Sequence, residues 1–368
     1  MSEESSLDRI MSGKTWDEFC DTLKEAGRVI TKDSSPDDPL TRAEGFRYIA
    51  RIVRATTEAF LEYNDPLAPV LFRPIHETAK LGADNPDNYY QHATIDGKYE
   101  YRIHGKRNDI NYLAFGTYEG NYGSAGRSGE TGYLENSQIE AEDDGTIEIM
   151  VSREKKGKNW LPMTENTSSV IVRQTFGDRT KETPAELAIE RIGGDGKPSP
   201  VTPETIDQGL TVASKIMFGA VSMFSSWAEG FREHENRLPR FDPDVSLAAH
   251  GDPNICYYHS YWKLGPDEAL VIDVHPPKCA FWNFQLNNFW MESLDYRYYN
   301  IWTNMYKATY RDDGSLRVVV AHRDPGVPNW IETVEHGEGT MLWRWFEGED
   351  CPEPATRVVP VESVKELD

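Results

Sequence analysis

Apolar residues in this chain recur at helical spacing in two stretches and at strand spacing through most of the remainder. Thr41-Arg42-Ala43-Glu44 has the spacing of a capping box, whose hydroxyl and carboxylate satisfy orphan amides at a helix start. Phe46, Ile49, Val53, Thr56 and Phe60 then line one helical face. That helix is expected to end at Asn64-Asp65-Pro66, because the residue before proline avoids the α region. Thr183-Pro184-Ala185-Glu186 predicts a short helix with proline at its first position. Thr202-Pro203-Glu204 opens a longer one, and Ile206, Leu210, Ala213, Met217, Ala220, Phe224, Trp227 and Phe231 give it a single apolar stripe of the kind that packs into a core. Residues 1–40 read as a polar arm with one helical segment, around Thr15 to Val29.

Strands fill the intervals. Tyr99 to Ile103, Tyr112 to Tyr118, Thr146 to Ser152 and Ser169 to Gln174 alternate or run β-branched, with Asp-Gly turns between them. The second half offers Tyr257 to Lys263, Leu270 to Val274, Ala280 to Phe289, Tyr306 to Tyr310, Leu316 to Ala321 and Thr340 to Trp345. The halves also match one another. Asp143-Asp144-Gly145-Thr146 reads against Asp312-Asp313-Gly314-Ser315, Asn159-Trp160 against Asn329-Trp330, and Ile103-His104 against Val274-His275. Val172-Arg173 reads against Trp343-Arg344, and the offset stays near 167 to 171 residues. An internal repeat of this length sets the architecture. The expected fold class is α+β, mainly β: two tandem antiparallel β-sandwich units of jelly-roll type, each with a helical lead-in. The polar arm would cover 1–40, the first unit 41–181 and the second 182–361, joined through the glycine- and proline-rich loop Gly193 to Pro200.

Charge narrows the partners. With 61 acidic against 39 basic residues, the formal charge of -22 argues against binding nucleic acid or anionic lipid, both of which need a cationic surplus. No apolar run is long enough to cross a bilayer, and residues 1–21 show no apolar leader core, so a cytoplasmic protein is expected. Cys20, Cys256, Cys279 and Cys351 are scattered with no C-x-x-C pair, which predicts reduced thiols.

The repeated pieces carry a family likeness. Asp143-Gly145-Thr146, Asn159-Trp160-Leu161-Pro162 and Arg173, with Phe281-Trp282-Asn283-Phe284, Asp313-Gly314-Ser315, Asn329-Trp330 and Arg344, resemble the DUF1214 family, often found together with the related DUF1254 domain. The likeness spans about residues 85–350 and implies jelly-roll-like sandwiches without a common reaction. Ile331-Glu332 stands where the first copy has Leu-Pro. Physically, Asp-Gly forms turns, the indole after asparagine suits a sandwich rim, and an arginine inside an apolar strand needs partners.

The functional candidates lie in the second copy, most of them without a counterpart in the first, although Arg344 repeats Arg173 and His92 stands at the place of His259. Period-2 alternation places Asn283, Gln285 and Asn287 on one face of a strand, a ladder of donors and acceptors for hydroxyl or carbonyl groups, or else a solvated face. Trp290, Tyr296, Arg297, Tyr298 and Trp302 follow in an aromatic segment expected to line a pocket or an interface. His259 and His322 are candidates for proton transfer, Glu292 and Asp295 for orienting them, and Arg344 or Arg297 for holding negative charge. No histidine lies at metal-ligand spacing, and no Walker loop or dinucleotide fingerprint is present. Gly123-Ser124-Ala125-Gly126 lacks the spacing of a nucleophile elbow, and Cys256 and Cys279 sit in apolar strands that favour inert thiols. The expectation is a hydrolase or lyase without metal or cofactor, acting on a small, partly apolar, oxygen-bearing metabolite. The alternatives are a binding module for a glycan or hydrophobic metabolite, and a structural homo-oligomer.

Overall fold

The computed structural model describes residues 4–120 and 129–367, so the Gly123-Ser124-Ala125-Gly126 stretch lies outside the described residues. The polar arm holds the helix expected around Thr15 to Val29, found as α2 (Lys14–Ile30), adds α1 (Ser6–Ser12) before it, and leads into α3 (Pro39–Thr57). The reason is a distant partner. Asp207, on α4 (Pro203–Phe231), accepts from Ser6 Oγ at 2.7 Å, Arg9 Nε at 2.9 Å and Thr15 Oγ1 at 2.5 Å. Polar residues that looked like a solvated arm are thereby satisfied in place, and Phe19 packs on Leu210 and Ala213.

The start of α3 also differs from expectation. Asp38 Oδ1 accepts from the Thr41 amide at 2.8 Å, so the helix begins upstream of the expected capping box. The helix expected at Thr183-Pro184 is extended chain, because Asp109 Oδ1 and Gln174 Oε1 accept the Thr183 and Ala185 amides and lead the chain into a strand.

Among the described residues each half contributes eight strands. The first copy has β1 (Asn88–Thr94), β2 (Tyr101–Lys106), β3 (Tyr112–Glu119), β4 (Gly129–Leu134), β5 (Thr146–Ser152), β6 (Asn159–Pro162), β7 (Ser169–Thr175) and β8 (Glu186–Arg191). The second has β9 (Ile255–Lys263), β10 (Glu268–Val274), β11 (Phe281–Leu286), β12 (Trp302–Asn304), β13 (Leu316–Ala321), β14 (Trp330–Glu332), β15 (Glu338–Phe346) and β16 (Ala355–Pro360). The sheets run β1-β7-β3-β4 and β6-β5-β2-β8, and adding eight to every strand reproduces β9-β15-β11-β12 and β14-β13-β10-β16. Even the parallel pair β5–β6 recurs as β13–β14. The expected strand at Tyr306 to Tyr310 is absent, because Asn304 Oδ1 accepts the Tyr306 and Lys307 amides and turns the chain.

Each copy is a sandwich with its core between two sheets. Ile103, Phe115, Ile149 and Val172 meet in the first; Ile272, Trp282, Val318 and Trp343 meet in the second. Trp282 and Trp343 stack at 5.1 Å, burying large apolar area between adjacent strands. Compact packing divides the chain into Met1–Arg28, Ile49–Ala79 and Asp87–Val221 as one unit, and Val29–Tyr48, Lys80–Pro86 and Ser222–Asp368 as the other. Two pieces from the first half thus fold with the second unit.

The repeated motifs serve the fold. Asn159 Nδ2 donates to the Glu140 and Glu148 carbonyls, and Asn329 Nδ2 donates equivalently to those of Thr309 and Arg317. Trp160 and Trp330 each donate their indole N–H to a strand carbonyl, of Ser152 and Ala321. Asp144 and Asp313 cap the turns by accepting from the amide two residues on.

One sequence expectation is corrected outright. Cys256 and Cys351 form a disulfide with a Cα separation of 6.4 Å, across 95 residues. Spacing along the chain concealed it, because β15 carries the chain back beside the start of β9, where Trp345 pairs with Cys256. Cys20 and Cys279 are free thiols, and burial pushes the Cys279 thiol up to about 11. No helix among the described residues is long and apolar enough to cross a membrane.

Candidate functional site

The outer face of the β12-β11-β15-β9 sheet is polar and yet buried. Pairing across β9 and β15 sets Tyr257 opposite Arg344 and His259 opposite Leu342, while Arg344 lies opposite Asn283 on β11. Asn283, Gln285 and Asn287 are all 0 % exposed, so the amide ladder faces protein and not solvent. Its cover is residues 80–86, part of the same unit.

Gly82 (φ 61°) and Ala83 (φ 57°) turn that segment through left-handed conformations, aiming its carbonyls at the sheet. Arg344 donates Nη2 to the Ala83 carbonyl at 2.5 Å, and Nη1 to Gln285 Oε1 at 2.5 Å and Asn283 Oδ1 at 3.3 Å. Gln285 Nε2 donates to the Asp84 carbonyl at 2.8 Å and to Asn287 Oδ1 at 2.6 Å. Asn283 Nδ2 donates to Asn85 Oδ1. Buried amides in such number are tolerable only as a connected network.

His259 lies beside this network in an aromatic box. Phe241 is 4.9 Å from its ring, Phe231 5.5 Å, Tyr257 5.8 Å and Trp227 6.1 Å. Its Nδ1 is buried and has no hydrogen-bond partner among the described residues. Burial, and then the charge of Arg344, push the imidazole down to about 3, so it is neutral near pH 7. A buried polar atom without a partner costs about 1–3 kcal/mol, which a ligand group would relieve. Phe241, Trp227 and Tyr257 are half-buried, so the rim of the box reaches solvent.

A second polar group lies further along the same unit. Glu292, 1 % exposed, accepts from Asn288 Nδ2 at 2.9 Å, and Asn288 Oδ1 accepts the amides of Trp290 and Glu292. Trp290 donates its indole N–H to the Thr41 carbonyl at 2.7 Å. The buried Tyr48 hydroxyl has no hydrogen-bond partner among the described residues. Burial, together with the Glu292 and Asp84 carboxylates, holds its pKa well above the usual phenol value.

Gly45 on α3 sits against Trp290, with a hypothetical Cβ only 2.8 Å from the indole and 2.7 Å from Ile30. Gly45→Ala is therefore expected to destabilise by about 1–3 kcal/mol, although alanine in an open helix position gains about 1 kcal/mol over glycine. Chemical denaturation reads the sign directly, and a stabilised variant refutes the close packing.

Glu44 leaves its expected capping role for His336, whose Nε2 donates to Glu44 Oε2 at 2.9 Å while Nδ1 donates to the Thr333 and Val334 carbonyls. Burial alone lowers His336, but the Glu44 hydrogen bond and charge outweigh it and raise the imidazole pKa. Burial alone raises Glu44, but His336 and then Arg47 hold its carboxyl below the usual value. The raised histidine stabilises fully below its ordinary 6.5 and loses that contribution as pH rises through its folded value. The lowered glutamate contributes fully above its ordinary 4.5 and loses it as pH falls through its folded value. The pair should thus support stability most between pH 4.5 and 6.5. Denaturant midpoints across pH should lose both slopes in Glu44→Gln, and parallel profiles for the two proteins would refute the pair's role.

The other sequence candidates are placed elsewhere. His322 bonds Thr333 Oγ1 at 2.7 Å and the Leu264 carbonyl at 3.3 Å just past β13, in the opposite sheet. Asp295 accepts from Arg297 at 2.9 and 2.7 Å on the exposed side of its loop, and that hydrogen bond leads in lowering its pKa. Tyr298 is 76 % exposed. Tyr296 packs edge-on to Trp302, and Lys307 Nζ lies 3.2 Å from the centre of the Trp302 ring. The structure therefore gathers His259, Arg344, Asn283, Gln285 and Asn287 at one face, and Glu292 with Trp290 in the adjoining network. The aromatic tail from Arg297 to Asn300 is turned outward.

Sequence reasoning missed Ala83, Asp84, Asn85, Phe241 and Tyr48, which carry no local motif. The stripe residues Trp227 and Phe231 were legible as core but not as walls around a histidine.

The first copy sharpens the contrast. Ala114 lies opposite Arg173, as Asn283 lies opposite Arg344. Two and four residues further along β3, Gly116 and Tyr118 stand where β11 and its continuation carry Gln285 and Asn287. The Tyr118 hydroxyl folds back over Gly116 to accept from Arg173 Nη1 at 2.8 Å. Arg173 and Arg344 share a position, and the amide ladder belongs to the second copy alone.

Comparison with known proteins agrees with the duplication. The family profile "Protein of unknown function (DUF1214)" matches residues 87–175 and again 268–350. A crystal structure of a putative uncharacterized protein from Burkholderia cenocepacia is similar at 47 % identity and a TM-score of 0.94, covering 97 % of this chain and 99 % of that one. The VPA0106 protein from Vibrio parahaemolyticus shares the fold at 13 % identity and a TM-score of 0.50, over 85 % of this chain and 98 % of that one. A search of curated proteins finds no match.

Proposed function

Because the chain belongs to the DUF1214 family, whose description assigns no reaction, we propose a function from the geometry of the second unit: it binds a small, partly apolar molecule through a carboxylate or similar oxyanion. The observation that carries this reading is the buried, unpartnered Nδ1 of His259, set in an aromatic box beside the Arg344 charge. Arg344 supplies charge complementarity, the neutral imidazole a hydrogen bond, and Trp227, Phe231 and Phe241 an apolar wall. The surplus of acidic residues, at a formal charge of -22, disfavours nucleic acid and anionic lipid as partners.

A hydrolase or lyase is the second reading, favoured by the same nitrogen. Burial is the larger cause of the depressed His259 pKa and the Arg344 charge the smaller, and an anion bound beside Arg344 would offset the second, shifting the imidazole in the direction in which it accepts a proton. Arg344 would then hold negative charge that develops in the reaction. His322 and Asp295 have no part in this version. We place the protein in the cytoplasm, where the Cys256–Cys351 bond would respond to the redox state.

The test is a thermal-shift series with benzoate, phenylacetate and uncharged benzamide. A carboxylate at 100 times its dissociation constant adds about 2.7 kcal/mol of stability. Benzoate or phenylacetate should stabilise the protein, benzamide should not, and His259→Gln should weaken the effect about tenfold in concentration. Equal stabilisation of the variant, or none by either acid, overturns the reading.

A further inference from the structure

We propose that the Cys256–Cys351 disulfide keeps the His259 box closed, and that its reduction opens the box. The inference rests on the ligand-site reading above for its purpose, though not for its geometry. The flap over the box is the segment that begins at Arg240 and Phe241. Phe241 is the nearest ring to His259, and its amide donates to the Tyr257 carbonyl at 2.8 Å. The Arg240 amide donates to Glu353 Oε1 at 3.2 Å, and Arg240 Nη2 lies 3.6 Å from Cys256 Sγ. Further on, the Asp252 amide donates to the Tyr257 hydroxyl at 3.0 Å.

Glu353 belongs to the loop that the disulfide pins, two residues beyond Cys351. That loop has further ties: the Tyr258 hydroxyl donates to the Cys351 carbonyl, and Trp345 Nε1 donates to the Pro352 carbonyl at 3.0 Å. The covalent bond, the loop, Arg240, Phe241 and His259 therefore form one mechanical series within a single unit.

Both cysteines are half-buried, within reach of a dithiol reductant. One thiolate of the dithiol attacks a sulfur of the Cys256–Cys351 bond and forms a mixed disulfide. Its second thiolate then displaces the remaining cysteine. Two electrons pass to the protein, each cysteine takes up one proton, and the dithiol leaves as a disulfide. The loop keeps only its hydrogen bonds, so Glu353 holds Arg240 less firmly and Phe241 can swing from the box.

Hydrogen exchange on the full chain tests this without a ligand. Oxidised protein, protein reduced with excess dithiol, Cys351→Ser and oxidised Glu353→Gln are compared. Amides of residues 240–259 should exchange at least about tenfold faster in the reduced and Cys351→Ser proteins, and the Arg240 and Phe241 amides faster in Glu353→Gln. Amides of β10 and β13 should change less than about twofold in Glu353→Gln, while in the reduced and Cys351→Ser proteins they should follow only the loss of global stability. A uniform acceleration across the unit in Glu353→Gln, an unchanged flap, or two free thiols at Cys256 and Cys351 before reduction overturns the proposal. Since no ligand is used, a failure of carboxylate binding leaves this result standing, and the converse also holds.

Discussion

Arg344→Met is expected to destabilise the second unit by about 3–5 kcal/mol, the range for removing one member of a buried charged network. Arg344 is 4 % exposed, and its guanidinium serves Gln285, Asn283 and the Ala83 carbonyl. Each acceptor loses a charge-assisted donor in the variant, at about 1.5–3 kcal/mol apiece before relaxation. Gln285 and Asn283 are themselves 0 % exposed, so water cannot easily replace the arginine. Relief by reorientation of the amides brings the sum down to the stated range. Arg173→Met is the comparison in the first unit, where the Tyr118 hydroxyl accepts from Arg173 and no amide ladder surrounds the guanidinium. Urea unfolding of both variants measures the difference. A loss under about 1 kcal/mol for Arg344→Met would show that the network does not depend on its cation.

Removing the disulfide should have an effect of similar size by another route. Cross-linking a loop of about 100 residues restricts the unfolded chain by about 4.7 kcal/mol in the chain-entropy account, with about 2–4 kcal/mol typical in practice. The bridged residues are 95 apart. Taking about 3 kcal/mol, and about 2–4 °C per kcal/mol for a unit of this size, Cys351→Ser should melt about 6–12 °C lower. Reductant should lower the melting temperature of the parent protein to match and leave the variant unmoved. A parent protein insensitive to reductant refutes the contribution.

The duplication was legible because its carriers act locally. Asp-Gly turns, the Asn-Trp staple and alternating strands are satisfied by groups within about twenty residues, as when Asn329 serves Thr309 and Arg317. The strands Thr146–Ser152 and Leu316–Ala321 are where alternation placed them. The failures share one cause. The N-terminal residues read as a polar arm with one helix around Thr15 to Val29, and nothing local showed that Asp207, about two hundred positions away, accepts three of their donors. Thr41 and Glu44 have the spacing of a cap, but Asp38 supplies the cap and His336 takes the carboxylate.

The candidate site divides the same way. Sequence alone determined that Asn283, Gln285 and Asn287 share a face, that Arg344 repeats Arg173, and that the second copy carries the richer chemistry, since period-2 geometry and self-comparison need no distant contact. Only the tertiary structure decided that this face is buried, because Ala83, Asp84 and Asn85 reach it from about 200 residues upstream. It also decided that His259 and not His322 stands beside the arginine, and that Cys256 meets Cys351. Those outcomes turn on which strands become neighbours and which segment covers them, and hydrogen bonds between residues so far apart leave no periodic trace in either.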